Sequence, residues 1–558
     1  MRRYQFSIYK EMEMLKFKNG ALDFVTMGKE NLRQVKRNYP KSLLYEDIIR
    51  NREGQITHGG SIVIRTGHAQ ERSHKDRFIV KDQISEKKVC WGPRINELEL
   101  SNYGSFLTRL LSYMQNKIAY VQNCYVCDNT DYKIPIRIVT ETAWHSLYSR
   151  NMFVPIYNQK NPENFDPVFT VVHVPGFQSI PDVDGTNSST AVIVNMTHKV
   201  VIICGSCYAG NIRQAVFTMI NYMIPEDVFP LRCAANISSN GDVSLFLGRE
   251  GTGKTTLSIN SQTQFIGDHA HGWNSDGIFN FENGIYAKVH GFDDTDSSEI
   301  AQCVKRFGTI LENVTIDLDS RDIDFSDGDL TTNTRACFAN KKLPNASPQK
   351  IYRHPKHLFL LTCDAFGVLP PIAKLSPEQA MFGFLSSFTT EFIKASSGEI
   401  TPSFNVCFGD SSLTFPPHIY AERLRQKIKD HDVNCWLINT GWSGKKYDES
   451  DRFPVEYSRA AVESVIAGHL DDIEFETDPV FRYRIPTSCP GVPIELLNPR
   501  NHTDNIGEYE LRANRLVSEF LKDFAQFEDQ LPEDMRGIFK NIMPIEDQMD
   551  FGEFGFSM

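Results

Sequence analysis

The stretch that most constrains this chain is Gly241-Asp-Val-Ser-Leu-Phe-Leu-Gly-Arg-Glu-Gly-Thr-Gly-Lys-Thr-Thr-Leu257. The apolar run Val243 to Leu247 reads as a buried strand. A tight loop, Gly248 to Gly253, follows it, and Lys254-Thr255-Thr256 should start a helix. Gly248, Gly253, Lys254 and Thr255 satisfy G-x-x-x-x-G-K-[ST], the phosphate-binding loop spacing. The chemistry needs those residue types. Glycines let backbone N–H groups turn inward around phosphate oxygens, and the helix start adds partial positive charge. Lys254 reaches the outer phosphates and the Thr255 hydroxyl holds magnesium, so Gly248, Gly251, Thr252, Gly253, Lys254, Thr255 and Thr256 form the expected nucleotide site. Glu250 is out of place, because a carboxylate beside phosphates weakens an anion site unless it points away or holds a cation.

The bulk numbers narrow the classes. At 558 residues the chain has room for two to four domains, and 41% hydrophobic with 23% charged residues is an ordinary soluble balance. A net charge of -11 argues against a general nucleic-acid or anionic-membrane binder. Twelve scattered cysteines without a secretory signal point to a reducing compartment, cytoplasm or mitochondrial matrix, and not to secretion. The basic start, Met1 to Lys10, could begin a presequence, but Glu11 and Glu13 argue against a long one. Two C-x-x-C pairs, Cys124/Cys127 and Cys204/Cys207, are better read as small buried hydrophobes than as zinc ligands. No transmembrane segment is expected, since the apolar run Ala191 to Cys204 is broken by Asn195, His198 and Lys199.

In chain order, residues 1–40 read as a charged extension. Strands are expected at Ser61 to Thr66, Phe78 to Val80, Phe169 to Val174, Ala191 to Ile203, Leu358 to Thr362 and Cys435 to Asn439. Ile134 to Thr140 alternates, and Pro135 marks it as an edge strand. Helices are expected at Thr142 to Tyr148, Ala215 to Met223, Pro416 to Asp430 and Leu511 to Phe527. The tail 541–558 is acidic and aromatic. The fold class is mixed α/β.

Seven segments carry a family resemblance: Gly205-Ser-Cys-Tyr-Ala-Gly210, Gly248 to Thr256, Gly267-Asp-His-Ala-His-Gly-Trp273, Leu311-Glu-Asn-Val314, Asn333-Thr-Arg335, Asp364 to Pro371 and Asn439-Thr-Gly-Trp442. With Leu497 to Asn501 they keep their order, and together they resemble ATP-dependent phosphoenolpyruvate carboxykinase over roughly residues 40–530. The resemblance implies a two-lobed fold, an N-terminal domain at 41–235 and a nucleotide-binding domain at 236–540, with the active site in the cleft between them. It implies conversion of oxaloacetate and ATP to phosphoenolpyruvate, ADP and carbon dioxide, with magnesium on the nucleotide and a second metal, usually manganese.

Residue by residue, the resemblance assigns Arg72 to the substrate carboxylate, although Glu71 and His74 replace the family's glycine and proline around it. Tyr208 lies against bound phosphoenolpyruvate, Lys254 and Thr255 serve phosphate and magnesium, and Asp268 orders magnesium with Thr255. Arg335 neutralises the transferred phosphoryl group. Arg452 and Ser458 sit where the family contacts the adenine nucleotide. The second metal's ligands are missing. The family's Y-x-G-E-M-K-K reads Tyr208-Ala-Gly-Asn-Ile-Arg-Gln214, so the ligand lysine is Gln214 and its neighbour is Arg213. The ligand histidine is Arg232 and the ligand aspartate is His269. A guanidinium only donates and cannot ligate a cation, so manganese is not expected there. Arg232 is then a candidate stand-in cation, paired with Asp268, Glu250 or a phosphate.

The reading preferred on the sequence is a carboxykinase-like pseudoenzyme, a structural or interaction subunit with ATP and magnesium binding left open. An active ATP-dependent carboxykinase and a nucleotide sensor or other small-molecule kinase are the alternatives. Partners, if any, are expected at the N-terminal extension and the acidic tail.

Overall fold

The structure is a computed structural model that describes residues 17–18, 21–22, 32–68, 74–92, 95–156, 165–260, 262–292, 299–394, 399–408 and 412–531. Both expected docking segments, the tail 541–558 and most of the first 40 residues, lie outside that set, and so does Arg72. The chain forms two contact units that interleave in sequence. One comprises Met1–Gly241, Ser258–His354 and Gly409–Pro416, and the other Asp242–Leu257, Pro355–Phe408 and Pro417–Met558. The sequence reading placed its domain boundary at 235/236; the first unit's leading segment runs to Gly241, and the chain rejoins that unit at Ser258.

The first unit is built on a mixed nine-stranded sheet. Its centre is Phe169–Val174, parallel to Ile134–Thr140 on one side and to Val200–Cys204 on the other. Every residue of Phe169–Val174 is buried, because both faces are covered. Phe169 and Val171 pack with Trp144, Leu147, Ile212 and Phe217 from helices Ala143–Met152 and Gly210–Met223. Val172 and Val174 point the opposite way, to Tyr103, Phe106, Leu107 and Leu110 of helix Leu100–Met114. Two expectations change here. Ile134–Thr140 is no edge strand, since Ile118–Val126 pairs with its other side. The run Ala191 to Ile203 is a hairpin, Ala191–Asn195 against Val200–Cys204. Asn195 Oδ1 accepts the His198 N–H, and Lys199 turns the chain at φ 52°.

The same unit carries a five-stranded sheet ordered Gly284–Lys288, Arg335–Ala339, Ile310–Glu312, Ile62–Ile64 and Gly54–Ile56. A third group pairs Phe229–Ile237 with Gln264–Gly267 and with Ala270–Trp273.

In the second unit Val243–Gly248 runs parallel to Pro355–Thr362, which runs parallel to Asn434–Asn439. Helix Pro377–Ser386 starts with a reciprocal capping box between Ser376 and Gln379. Its Phe382 meets Phe520 and Phe524 of the amphipathic helix Ile506–Glu528. Among the described residues no helix is long and apolar enough to cross a membrane.

Candidate functional site

The second unit presents the loop from residue 248 to 253. Val243–Gly248 is buried throughout, so its C-terminal end is rigidly placed. Gly251 and Gly253 take φ of 83° and 90°, a region that side chains disfavour. A Cβ on Gly248 would collide with the Thr252 hydroxyl. Thr252 is fully buried and its hydroxyl donates to the Arg249 carbonyl at 2.8 Å. Lys254 Nζ curls over the loop, donating to the carbonyls of Gly248 and Arg249 at 2.6 and 2.7 Å. Arg452 braces the far side, with Nε donating to the Thr440 carbonyl at 2.7 Å and Nη2 to the Gly251 carbonyl at 3.5 Å. Thr255 is half-buried, Thr256 and Glu250 are exposed, and Ser458 is buried in helix Val455–Ile466. The helix after the loop begins at Lys254 as expected but runs only to Ser258.

The first unit presents two buried clusters. In one, Arg213 forks onto Glu282, Nε to Oε1 at 2.7 Å and Nη2 to Oε2 at 2.9 Å. The same Nη2 donates to Asp268 Oδ2 at 3.0 Å. His269 Nδ1 lies 3.5 Å from Glu282 Oε1, and Arg232 is near enough to act on Glu282 electrostatically. Burial alone would lower the Arg213 pKa, but the charges of Glu282 and Asp268 overcome it and hold the pKa above its ordinary value. Burial pushes the Glu282 carboxyl up, and Arg213 opposes that shift. The fourth altered position, Gln214, donates to Ser412 Oγ at 3.3 Å. Asp268, one of the partners expected for Arg232, thus also takes a bond from Arg213. Glu282, which the sequence reading did not name, is the main partner of Arg213.

In the other cluster, the Arg335 guanidinium lies 5.1 Å from the centre of the Tyr286 ring, and its Nε donates to Asn333 Oδ1 at 3.0 Å. The Tyr286 hydroxyl donates to Glu312 Oε2 at 2.8 Å. Tyr208, 3% exposed, stands with its ring centre 6.0 Å from that of Tyr286. Its loop is pinned from beneath. His145 and His173 touch edge to face at 4.0 Å, and their Nε2 atoms lie 3.0 Å from the carbonyls of Cys207 and Ser206. Burial lowers both pKa values, that of His173 to about 4, so both rings are neutral and donate through Nε2. Gly205 enters this loop at φ 66°, and a Cβ there would strike the Ser189 carbonyl.

All twelve cysteines are free, and among the described residues no group of three His, Cys, Asp or Glu side chains is placed to hold a metal.

Mixed sheets, the glycine-shaped loop and the two buried clusters define a mixed α/β protein of the two-domain carboxykinase class. The sequence profile described as phosphoenolpyruvate carboxykinase matches residues 33–495. The chain is 42% identical over 493 residues to the phosphoenolpyruvate carboxykinase (ATP) of Pelobacter propionicus, covering 88% of this chain and 93% of that protein. It is 43% identical over 500 residues to that of Geotalea uraniireducens, covering 89% and 94%. It is 39% identical over 511 residues to that of Caldanaerobacter subterraneus, covering 91% and 98%. The chain belongs to the ATP-dependent phosphoenolpyruvate carboxykinase family.

Proposed function

We propose that this chain binds magnesium–ATP at the loop from Gly248 to Thr255 on a carboxykinase scaffold. The observation that carries this reading is the loop itself, with Gly251 and Gly253 at positive φ and Lys254 poised over it. The lysine's carbonyl contacts are exchangeable for phosphate oxygens, which bind an ammonium more strongly. The Thr255 hydroxyl is an oxygen donor of the kind magnesium takes. Glu250 is exposed, so its carboxylate is not buried in the loop. Titration with ATP and magnesium tests the reading, and absence of binding at about 1 mM sinks it.

Two readings of the chemistry follow. The comparisons favour the first, an active ATP-dependent phosphoenolpyruvate carboxykinase, because the relatives at about 40% identity carry that name across nearly their whole length. Tyr208, Lys254, Thr255, Asp268 and Arg335 are all present for it. The second is the non-catalytic interaction subunit preferred on the sequence. One specific observation favours it: Arg213, at the position of the family's proton-donating lysine, is locked onto Glu282 and Asp268. A guanidinium releases its proton far too reluctantly for general acid work at neutral pH. Phosphoenolpyruvate formation from oxaloacetate and ATP separates the two. Turnover at ordinary enzyme rates, about 1 to 1,000 per second, establishes the first. Silence with intact ATP binding establishes that the carboxykinase reaction is lost.

A further inference from the structure

The family implies a second divalent cation, and the donor set of this chain does not fit one. Gln214 offers a neutral amide that is bonded to Ser412, Arg232 can only donate, and His269 lies beside Glu282, with no group of three ligands among the described residues. We propose that the Arg213 guanidinium, fixed by Glu282 and Asp268, is itself the resident cation of this site, so that the chain takes up no second divalent ion. The proposal deepens the carboxykinase reading of the scaffold and does not depend on turnover.

Geometry is the first support. The fork onto Glu282 is bidentate at 2.7 and 2.9 Å, and the third contact, to Asp268, is 3.0 Å. Arg213 and Glu282 have side chains only 8% and 3% exposed. A planar guanidinium held by three charge-assisted bonds is positioned as firmly as a bound ion.

Charge is the second support. Two guanidinium groups, Arg213 and Arg232, act on the buried carboxylate Glu282, and Arg213 also bonds Asp268. A divalent ion added here would meet the fixed positive charges of Arg213 and Arg232. Uncompensated charge in a buried site is strongly disfavoured. Glu282 is therefore a positioning residue. It sets the plane and position of the Arg213 guanidinium, and it acts through that group.

The experiment counts manganese. Electron paramagnetic resonance of free Mn2+ is followed as the natural chain is titrated, first without nucleotide and then with a non-hydrolysable ATP analogue. The expected result is no saturable Mn2+ site without nucleotide and a single site with it. A saturable Mn2+ site in the nucleotide-free natural chain overturns the proposal. A failure to bind the analogue counts against the ATP reading alone, because the nucleotide-free titration still reports on this site. The variant Arg213→Lys/Gln214→Lys/Arg232→His/His269→Asp serves as the gain-of-site control, and if it folds it should acquire nucleotide-independent Mn2+ binding. If it folds and still binds none, the exclusion of metal is not due to Arg213 and its neighbours, and the proposal falls. If it does not fold, the titration of the natural chain decides alone.

Discussion

Glu312 and Arg335 are direct partners across two antiparallel strands, and Tyr286 stands between their side chains, ring toward the guanidinium and hydroxyl toward the carboxyl. Glu312 is 1% exposed, and its Oε1 has no hydrogen-bond partner among the described residues. Burial pushes its pKa up to about 8, against the pull of the Tyr286 hydroxyl. The folded value lies above the unfolded one, so at low pH, where both states are protonated, Glu312 costs nothing. The cost grows from about pH 4.5 to about pH 8, as the unfolded chain ionises and the folded one does not. Glu312→Gln should therefore stabilise the fold by about 2 kcal/mol at pH 8 and leave it unchanged at pH 4. Urea denaturation at the two pH values checks this, and equal effects at both would refute it.

The histidine pair beneath Tyr208 has the opposite pH dependence. The folded pKa of His173, about 4, lies below its ordinary 6.5, and that of His145 is lowered as well. Their contribution is full above about pH 6.5 and is lost as pH falls toward 4, because the unfolded chain takes up the protons first. Melting temperature should drop steeply across that window. His173→Gln, which keeps a donor but cannot be charged, should flatten the profile, and an unchanged slope would remove His173 as its cause.

Breaking the Arg213–Glu282 fork leaves a buried charge without its counterpart. Glu282→Leu alone should cost about 3 to 5 kcal/mol, whereas Arg213→Met with Glu282→Leu should cost much less. A double-mutant cycle by chemical denaturation measures the coupling. Additive losses would mean that the pair is not an energetic unit.

At the loop, Lys254→Ala should lower ATP affinity by at least about tenfold, some 1.4 kcal/mol, while stability changes little. Calorimetric titration of ATP with magnesium reads the first, and thermal melting reads the second. Unaltered affinity would place nucleotide binding, if any, elsewhere.

Tyr208 depends on a backbone that only glycine allows. Gly205→Ala meets both a φ of 66° and the Ser189 carbonyl, so a loss of about 2 kcal/mol or more is expected. A thermal melt indistinguishable from that of the natural chain would contradict it.

Much of this was legible in the sequence where local rules decide. The apolar run before Gly248 had to be a strand, and the glycines had to be a turn. The hairpin at Ala191–Cys204 was misread because its turn is only four residues, Met196 to Lys199, between two runs of equal apolarity. The polar residues His198 and Lys199, noted as interruptions of a membrane span, were the turn signal. Pro135 suggested an edge, but it sits second in its strand, where its carbonyl accepts from Val168 and the missing N–H disturbs only the strand's start. The interleaving of the units leaves no local trace, since nothing in the 258–354 segment's periodicity records which unit it rejoins. Glu282 could have been found. A lone acid between Phe281 and Asn283, close after Ile278 and Phe279, needs a buried cation, and the arginine replacing the family's lysine was the candidate.

The buried cluster around Glu282 also bears on any change toward the family's ligands made one residue at a time. Restoring only the histidine at position 232 removes a positive charge, and restoring only the aspartate at 269 adds a negative one. Restoring only the lysine at 214 adds a positive charge beside Arg213. Each such step changes the net charge of a buried cluster by one unit, so under the resident-cation proposal a second-metal site is reached only by changing several of these positions together.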